Sequence, residues 1–548
     1  MGVRLAGQRF ADVDLEVDVS EFGARGDGVT DNTLRLQAAL DSLEAAGGGT
    51  LHIPAGTYLT DEIIVNGDRI RIVGDGAATV LRKTGSAGVL LRLLGDDATV
   101  ECLRLEAGAQ SCYLIRANVD GVAVAPIERL RLEELRLVCD HRTAKAIFVG
   151  LYKDVEIRRC HAENTLTQLA DSLTFGITLH AGTSQYSYNA TVERCTVRGF
   201  YQGIVSYGTG IRQRTAISRN LVESALDIGI VSYHAARGSI IENVVKSCAA
   251  GIYADSTVDV DGNVYGNRVA FNLIQACTTW GIRTEELIGA SVVGNTCTGC
   301  QDGIIVSGGT GGTAINGNSC FANTRYGIWA DKEQTPANYH LYDLTFSGNV
   351  CKANGADGMR IGGVKRSCIV SGCVLTDNGT ATSPAASNTD AGLRLTTCVD
   401  GAVTNTVVVV GCTFGNNIGA TAGTGLSGYQ GYGICLDNLS TSRAVIVGCY
   451  FEGMGQFNIR SSYNVLNILG NVFKDLSYSL PNAVWTASGN VGGGFLTLSQ
   501  GTAAPTTGTW QAGDRVHNTA PAAGGKVGWV CVTAGTPGTW KPYGAIDA

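Results

Sequence analysis

The strongest constraint on this 548-residue chain is a segment that returns every two to three dozen positions. Each copy has an apolar stretch, an Asn or Cys, a turn, then Gly, an aliphatic residue and a short strand-like run. The Asn or Cys position can be followed through Cys160, Cys195, Asn220, Asn243, Asn272, Asn295, Asn318, Asn349, Cys373, Cys412, Cys449 and Asn471. The Gly-aliphatic pair tracks it, at Gly176-Ile177, Gly203-Ile204, Gly229-Ile230, Gly251-Ile252, Gly281-Ile282, Gly303-Ile304, Gly327-Ile328, Gly358-Met359, Gly392-Leu393 and Gly433-Ile434. Between Asn220 and Gly358 the gap from Asn to the glycine of the following Gly-aliphatic pair is always eight or nine residues. A fixed internal period means stacked repeats. The Leu-x-x-Leu-x-Leu frame of leucine-rich repeats is missing, which leaves an all-β, right-handed parallel β-helix with about three short strands per coil. Coils stack at the ordinary strand spacing of ~4.8 Å, so equivalent residues form columns and only stacking buries the core.

Composition agrees. The chain has 74 Gly against 9 Pro while 44% of it is hydrophobic, as expected of many tight turns between buried strands. With 16% charged residues and a net charge of −7 there is no basic stripe, so a nucleic-acid partner is not expected. The same balance gives no long-range attraction to a polyanion, and an acidic substrate would need local Arg or Lys. No apolar stretch is long enough for a membrane span, so no membrane insertion is expected. The opening MGVRLAGQRFADVDLEVDV has no apolar secretory core. The Asn series reads as a buried ladder at a bend, with amides bonding to one another and to backbone. Cysteines in that slot, or two residues beyond it (Cys297, Cys320, Cys351), read as small buried hydrophobes. Cys297-Thr-Gly-Cys300 has zinc-like spacing but no second pair nearby, and no metal site is expected.

Three regions follow: an N-terminal segment with a capping helix (1–60), the β-helix (61–490) and a small C-terminal β module (491–548). Thr30 or Asp31 can cap the helix, Leu34, Leu36, Leu40 and Leu43 give it an apolar side, and Gly47-Gly48-Gly49 stops it. In the last region Trp510, Trp529 and Trp540, with an alternating Val-Cys-Val and turns of Gly and Pro, suggest the β module. Longer excursions at about 162–190, 253–270, 331–345, 378–391 and 415–432 would stand outside the coil and wall a groove.

The string FGARGDGVTDNT, followed by AAL and by AAGGGTLHIPAGTY, resembles the opening of the pectate-lyase-like β-helix superfamily. That superfamily includes phage tailspikes, polygalacturonase-like hydrolases and alginate epimerases. The resemblance covers about 40 residues and implies the fold, a polysaccharide or oligosaccharide substrate, a tailspike-like homotrimer and an extracellular or virion-associated location. Asp27 and Asp31 within it read as turn and capping residues.

Stacking turns the site search into a search of columns. Four residues after successive ladder glycines stand His180, Tyr207, Tyr233, Asp255, Glu285, Ser307 and Asp331, a column expected to face solvent. Its carboxylates Asp255, Glu285 and Asp331 are the catalytic candidates. Glycoside hydrolysis needs one carboxyl group to protonate the leaving oxygen and a second to attack or to activate water. One coil separates Asp255 from Glu285, which suits a retaining pair; two separate Glu285 from Asp331. Tyr207, Tyr233, Trp280 and Trp329 can stack on sugar rings. His234, Arg283, Glu286, Asp302 and Lys332 stand close in sequence and complete the expected binding set. The leading reading is a glycan-cleaving hydrolase without cofactor. A uronate lyase or C5-epimerase would use Arg283 and Lys332 on the substrate carboxylate, with Ca²⁺ as an aid. An intramolecular glycosyl (fructo)transferase and a non-catalytic glycan-binding β-helix are the remaining alternatives.

Overall fold

The computed structural model describes residues 15–548 apart from 86, 119–124, 167–173, 182–187, 209–213, 234–237, 256–265, 332–340, 381–389, 397–405, 416–430, 438–442, 455–456, 462–465, 475–477, 480–484, 489, 493–497 and 509. It contains two compact units, residues 1–291 and 292–548. Most of each expected excursion at 253–270, 331–345, 378–391 and 415–432 falls outside the described residues, whereas 162–190 contains the coil strand Phe175–His180.

In the first unit one coil consists of Thr215–Ser218, Leu221–Glu223 and Ile228–Tyr233. Each of these strands pairs in parallel with its counterpart in the next coil: Ser239–Ile241, Val244–Lys246 and Ala250–Asp255. The rise from coil to coil therefore makes three parallel sheets, and the coil is a right-handed parallel β-helix. The Gly-aliphatic strands all belong to one of these sheets. Their aliphatic residues Ile204, Ile230, Ile252 and Ile282 stack as a buried column. The glycine beside it is required by close approach: a Cβ at Gly251 would sit 2.1 Å from the carbonyl oxygen of Gly281.

The Asn ladder forms as expected. Asn243 Oδ1 accepts from the backbone N–H and the side-chain amide of Asn220, both at 3.0 Å. Asn243 in turn donates to Ile217 O at 2.9 Å and to Asn272 Oδ1 at 3.0 Å. The bend is made by the preceding residue, which takes left-handed backbone angles: Arg219 (φ 57°), Glu242 (φ 57°) and Phe271 (φ 56°).

The second unit repeats the scheme. Ala314–Asn316, Ser319–Phe321 and Ile328–Ala330 pair with Leu341–Ser347, Val350–Lys352 and Met359–Gly362. Asn295, Asn318 and Asn349 form a ladder here, and the residues before them are glycines with φ between 61° and 66°. Cys297, Cys320 and Cys351 stack in register inside the coil. A second amide ladder, Asn323–Asn354–Asn378, runs at another bend. The described cysteines are free thiols, and full burial pushes the Cys139 thiol well above its ordinary value. The last coil strand is Val491–Gly492. Leu498–Gly501, Arg515–Asn518, Lys526–Thr533 and Thr539–Ala545 then form a separate four-stranded sheet. Trp510 and Trp540 meet edge-to-face there, with ring centres 5.1 Å apart.

The N-terminal helix spans Thr33–Ala46 and buries Leu36, Ala39, Leu40 and Leu43. Two expectations need correction. Leu34 is 84% exposed, because it lies a helical step away from the buried stripe. The capping position is Asn32, whose amide is taken by Arg25 backbone; Asp31 supports the first turn by accepting from Thr33 N at 2.9 Å. The helix closes the first coil by chemistry as well as by cover: Gln37 donates to and accepts from the backbone of Ile64, both at 2.9 Å. Gly47 (φ 86°) ends it. Asp27 accepts from Val29 N, Thr30 N and Thr30 Oγ1, and the Thr30 bonds chiefly hold its carboxyl down to about 2.

His52 bridges Asp18 and Asp75, with each ring nitrogen 3.1 Å from a carboxylate oxygen. The Asp75 hydrogen bond is the largest cause raising the imidazolium above its ordinary value; partial burial opposes it and Asp18 adds to it. A group whose folded value is raised stabilises the fold fully below its unfolded value and loses that contribution as pH rises through the folded one. The melting-temperature difference between wild type and His52→Gln should therefore shrink as pH rises through that window. A constant difference across pH would show that the clip acts through packing alone.

Candidate functional site

The outward face of the Gly-aliphatic sheet in the first unit holds the expected column and a second one beside it. Because side chains alternate along a strand, each strand presents two outward positions. In Ala250–Asp255 these are Tyr253 and Asp255; in Trp280–Glu285 they are Arg283 and Glu285. Tyr253 pairs in register with Arg283, and Asp255 with Glu285. The two carboxylate-bearing positions are therefore neighbours, one strand spacing apart, ~4.8 Å between backbones.

Two donors converge on Glu285. Tyr253 Oη lies 3.1 Å from Oε2 and Arg283 Nη2 lies 3.1 Å from the same oxygen. Asp255 is the more enclosed carboxylate, 7% exposed, and its backbone carbonyl accepts from Asn267 Nδ2 at 2.9 Å. Burial, reinforced by the negative charges of Asp255 and Glu285, raises the Tyr253 phenol far above its ordinary value. Its hydroxyl is thereby kept as a donor. Tyr233 is also raised, by burial first, then by the negative charges of Asp227, Asp255 and Glu285.

Aromatic rings lead along this face to the carboxylates. Successive ring centres run Tyr113–Phe148 at 5.7 Å, Phe148–His180 at 5.9 Å, His180–Tyr207 at 5.1 Å, Tyr207–Tyr233 at 5.9 Å, Tyr233–Tyr253 at 5.1 Å and Tyr253–Trp280 at 6.3 Å. Val205, Ile228, Val231 and Ala250 form an apolar floor against which Phe175, Tyr233, Tyr253 and Trp280 pack. An apolar floor with aromatic rings and a few polar groups is the ordinary lining of a small-molecule site.

The structure thus brings Tyr207, Tyr233, Asp255, Trp280, Arg283 and Glu285 onto one face. Glu286 follows the strand end with left-handed backbone (φ 53°). His234 and Lys332 lie outside the described residues. The column is less exposed than expected: Tyr207 is open, but Asp255 and, in the second unit, Ser307 and Asp331 are buried. Tyr253 and Phe148 escaped the sequence reading because only one of the two outward columns was followed. The signal was present, two residues before Asp255 in the same strand.

The second unit presents its own outward groups. Asp302 is buried and clasped by Arg325, whose Nε donates to Oδ1 at 2.8 Å, and Tyr326 N also donates to it. Its carboxylate, expected to bind substrate, is engaged in this fastening. Trp329 is buried against Tyr326, ring centres 5.6 Å apart, with Arg325 over its ring at 4.8 Å. Its ring, expected to stack on sugar, has Arg325 over it. Asp331 is 5% exposed and lies against Gly362, where a Cβ would meet its Oδ2 at 3.0 Å. Sequence reading missed a further cluster here: Arg394 donates to Asp357 at 2.7 and 3.1 Å and to Asp437 at 2.6 Å. Burial raises the Asp357 carboxyl despite the guanidinium. Among the described residues no group of three or more His, Cys, Asp or Glu side chains is placed to hold a metal ion, and no helix is long and apolar enough to cross a membrane.

A parallel coil with an outward row of rings ending at paired carboxylates defines the class: a parallel β-helical protein. Residues 16–253 match the family described as rhamnogalacturonase A/epimerase, pectate lyase-like, and residues 228–399 match the right handed beta helix region. The chain is a right-handed parallel β-helix whose N-terminal part is similar to the pectate-lyase-like family. Among curated proteins, mannuronan C5-epimerase AlgE4 of Azotobacter vinelandii is 37% identical over 87 residues, 16% of this chain and 15% of that protein. Alginate lyase 7 of the same organism is 38% identical over 76 residues, 13% of this chain and 9% of that one. The tail spike protein of Shigella phage Sf6 is 25% identical over 260 residues, 42% of this chain and 40% of that one. This chain therefore spans well under half the length of the curated relatives it matches. The solved A-module of the AlgE4 epimerase from A. vinelandii is 16% identical, with 86% of this chain and 99% of that one covered and a TM-score of 0.39.

Proposed function

We propose that the chain is a polysaccharide-degrading enzyme that holds a glycan along the Tyr207–Trp280 groove and cleaves a glycosidic bond with Asp255 and Glu285. One observation carries this reading: the two carboxylates are register partners on adjacent strands, at the end of a row of aromatic rings. Strand spacing suits the ~5 Å separation of a retaining pair. Glu285, on which Tyr253 and Arg283 converge, is the attacking carboxylate; the more enclosed Asp255 donates the proton to the leaving oxygen. The names of the relatives, alginate-active enzymes and a phage tail spike, support a polysaccharide substrate and a virion-associated or extracellular depolymerase.

A second reading has its own support. Arg283 beside Glu285, together with the epimerase and lyase relatives, fits proton removal next to a uronate carboxylate, the guanidinium steadying the charge that develops. Incubation with alginate, polygalacturonate and neutral glycans separates the two. Hydrolysis yields new reducing ends without an unsaturated uronide chromophore; elimination yields both; epimerisation yields neither but changes the uronate ratio seen by NMR. Reducing ends lacking the chromophore are the expected result, and products carrying it would replace the first reading by the second.

A further inference from the structure

The inner outward column of the groove continues beyond the aromatic rows. Its register partners run Arg92, Arg116, Phe148, Thr178, Val205, Val231, Tyr253 and Arg283. Both ends of this column are cationic and its middle is apolar. At the far end a cavity of about 260 Å³ opens, lined by Arg92, Ser111, Tyr113, Arg116, Thr143 and Lys145. Arg92 is paired with Glu62. Among the described residues neither Arg116 nor Lys145 has a carboxylate partner. Arg116 stands over the rings of Tyr113 and Phe148, at 5.3 and 5.7 Å, and its Nε is buried with no hydrogen-bond acceptor. Lys145 lies over the Tyr113 ring at 4.6 Å and donates to its hydroxyl at 3.2 Å.

Two unneutralised cations set in an aromatic cavity form an anion site in a chain whose net charge is −7. Guanidinium and ammonium donors make their strongest hydrogen bonds to carboxylate, sulfate or phosphate oxygens. Five strand spacings separate Arg116 from Tyr253, about 24 Å along the groove. The rings between them are continuous, so one extended chain can lie on both.

We propose that the Arg116–Lys145 cavity is a distal subsite for an anionic substituent of the glycan, so that the enzyme selects charged polymers long enough to reach from this cavity to Asp255 and Glu285. The proposal rests on the reading of Asp255 and Glu285 as the cleaving pair. It makes selection a matter of local charge at one end of the groove, in a molecule whose overall charge repels such polymers.

The test uses the full chain carrying Glu285→Gln, so that binding is measured without turnover, with polygalacturonate and alginate as probes beside their carboxyl-reduced counterparts and dextran sulfate. Adding Arg116→Gln and Lys145→Gln should weaken polyuronate binding by about tenfold or more and leave the carboxyl-reduced polymers unaffected. Lys145→Gln alone, with a melting curve matching wild type, guards against loss of fold and should give a smaller loss of the same selectivity. Dextran sulfate bound as tightly as polyuronate would mean that the cavity reads charge, and weaker binding that it reads carboxylates. Equal binding of charged and carboxyl-reduced polymers, or no change on removing the cations, would overturn the proposal. The cleavage reading fails by a different result, wild-type turnover in the Asp255 and Glu285 variants.

Discussion

Glu285→Gln should lower turnover of the cognate polysaccharide by 10³-fold or more, the usual order for loss of an attacking group, with little change in melting temperature. The amide keeps an oxygen where Tyr253 and Arg283 donate, and the side chain lies on the outer face rather than in the core. Asp255→Asn should also lose activity on the natural polymer, but with a distinguishing signature. A proton donor matters only when the leaving group is poor. Glycosides with activated aryl leaving groups should therefore recover much of kcat/KM, which reports bond cleavage, in Asp255→Asn and none in Glu285→Gln. Rates measured side by side on both substrate types decide the assignment. Equal recovery in both variants would remove the division of roles.

The second large effect concerns the fold. Asn243→Ala should destabilise the first unit by about 3–5 kcal/mol, because several buried groups lose partners at once and each costs about 1–3 kcal/mol when left unsatisfied. The backbone N–H and amide of Asn220 lose their acceptor, and Ile217 O and Asn272 Oδ1 lose a donor. A cysteine there should cost less, since the ladder elsewhere accepts one: Cys195 N donates to Asn220 Oδ1 at 2.8 Å. Denaturant unfolding of Asn243→Ala and Asn243→Cys measures both. A loss below 1 kcal/mol in the alanine variant would mean that water replaces the ladder.

The coil was legible because stacking repeats one geometric demand in every turn. The slot after a left-handed residue must hold a small side chain that can bond up and down, and Asn and Cys are what the sequence places there. The same logic held for the Gly-aliphatic column, where neighbouring backbone excludes a Cβ. The second ladder was equally encoded: Asn323, Asn354 and Asn378 stand five positions after Asn318, Asn349 and Cys373. It went unread because only one constant offset had been followed.

The site was legible to the extent that it depends on register. Asp255 and Glu285 become neighbours through spacing alone, and a glycine count finds that. What an outward side chain does with its neighbours is a different matter. Asp302 shares the column logic of a ligand-binding carboxylate, yet Arg325, more than twenty positions on, returns beside it and takes it. Likewise Arg394 draws Asp357 and Asp437 from separate coils into one buried cluster. Those partnerships depend on side-chain length and burial, which vary from coil to coil and leave no periodic trace.

A complex of the Glu285→Gln variant with an oligosaccharide, solved by crystallography, tests the whole account at its root. Sugar rings are expected over Tyr207, Tyr233 and Tyr253, with a glycosidic oxygen within hydrogen-bonding distance of Asp255. An oligosaccharide seated on another face of the coil, or held by the second unit alone, would contradict it.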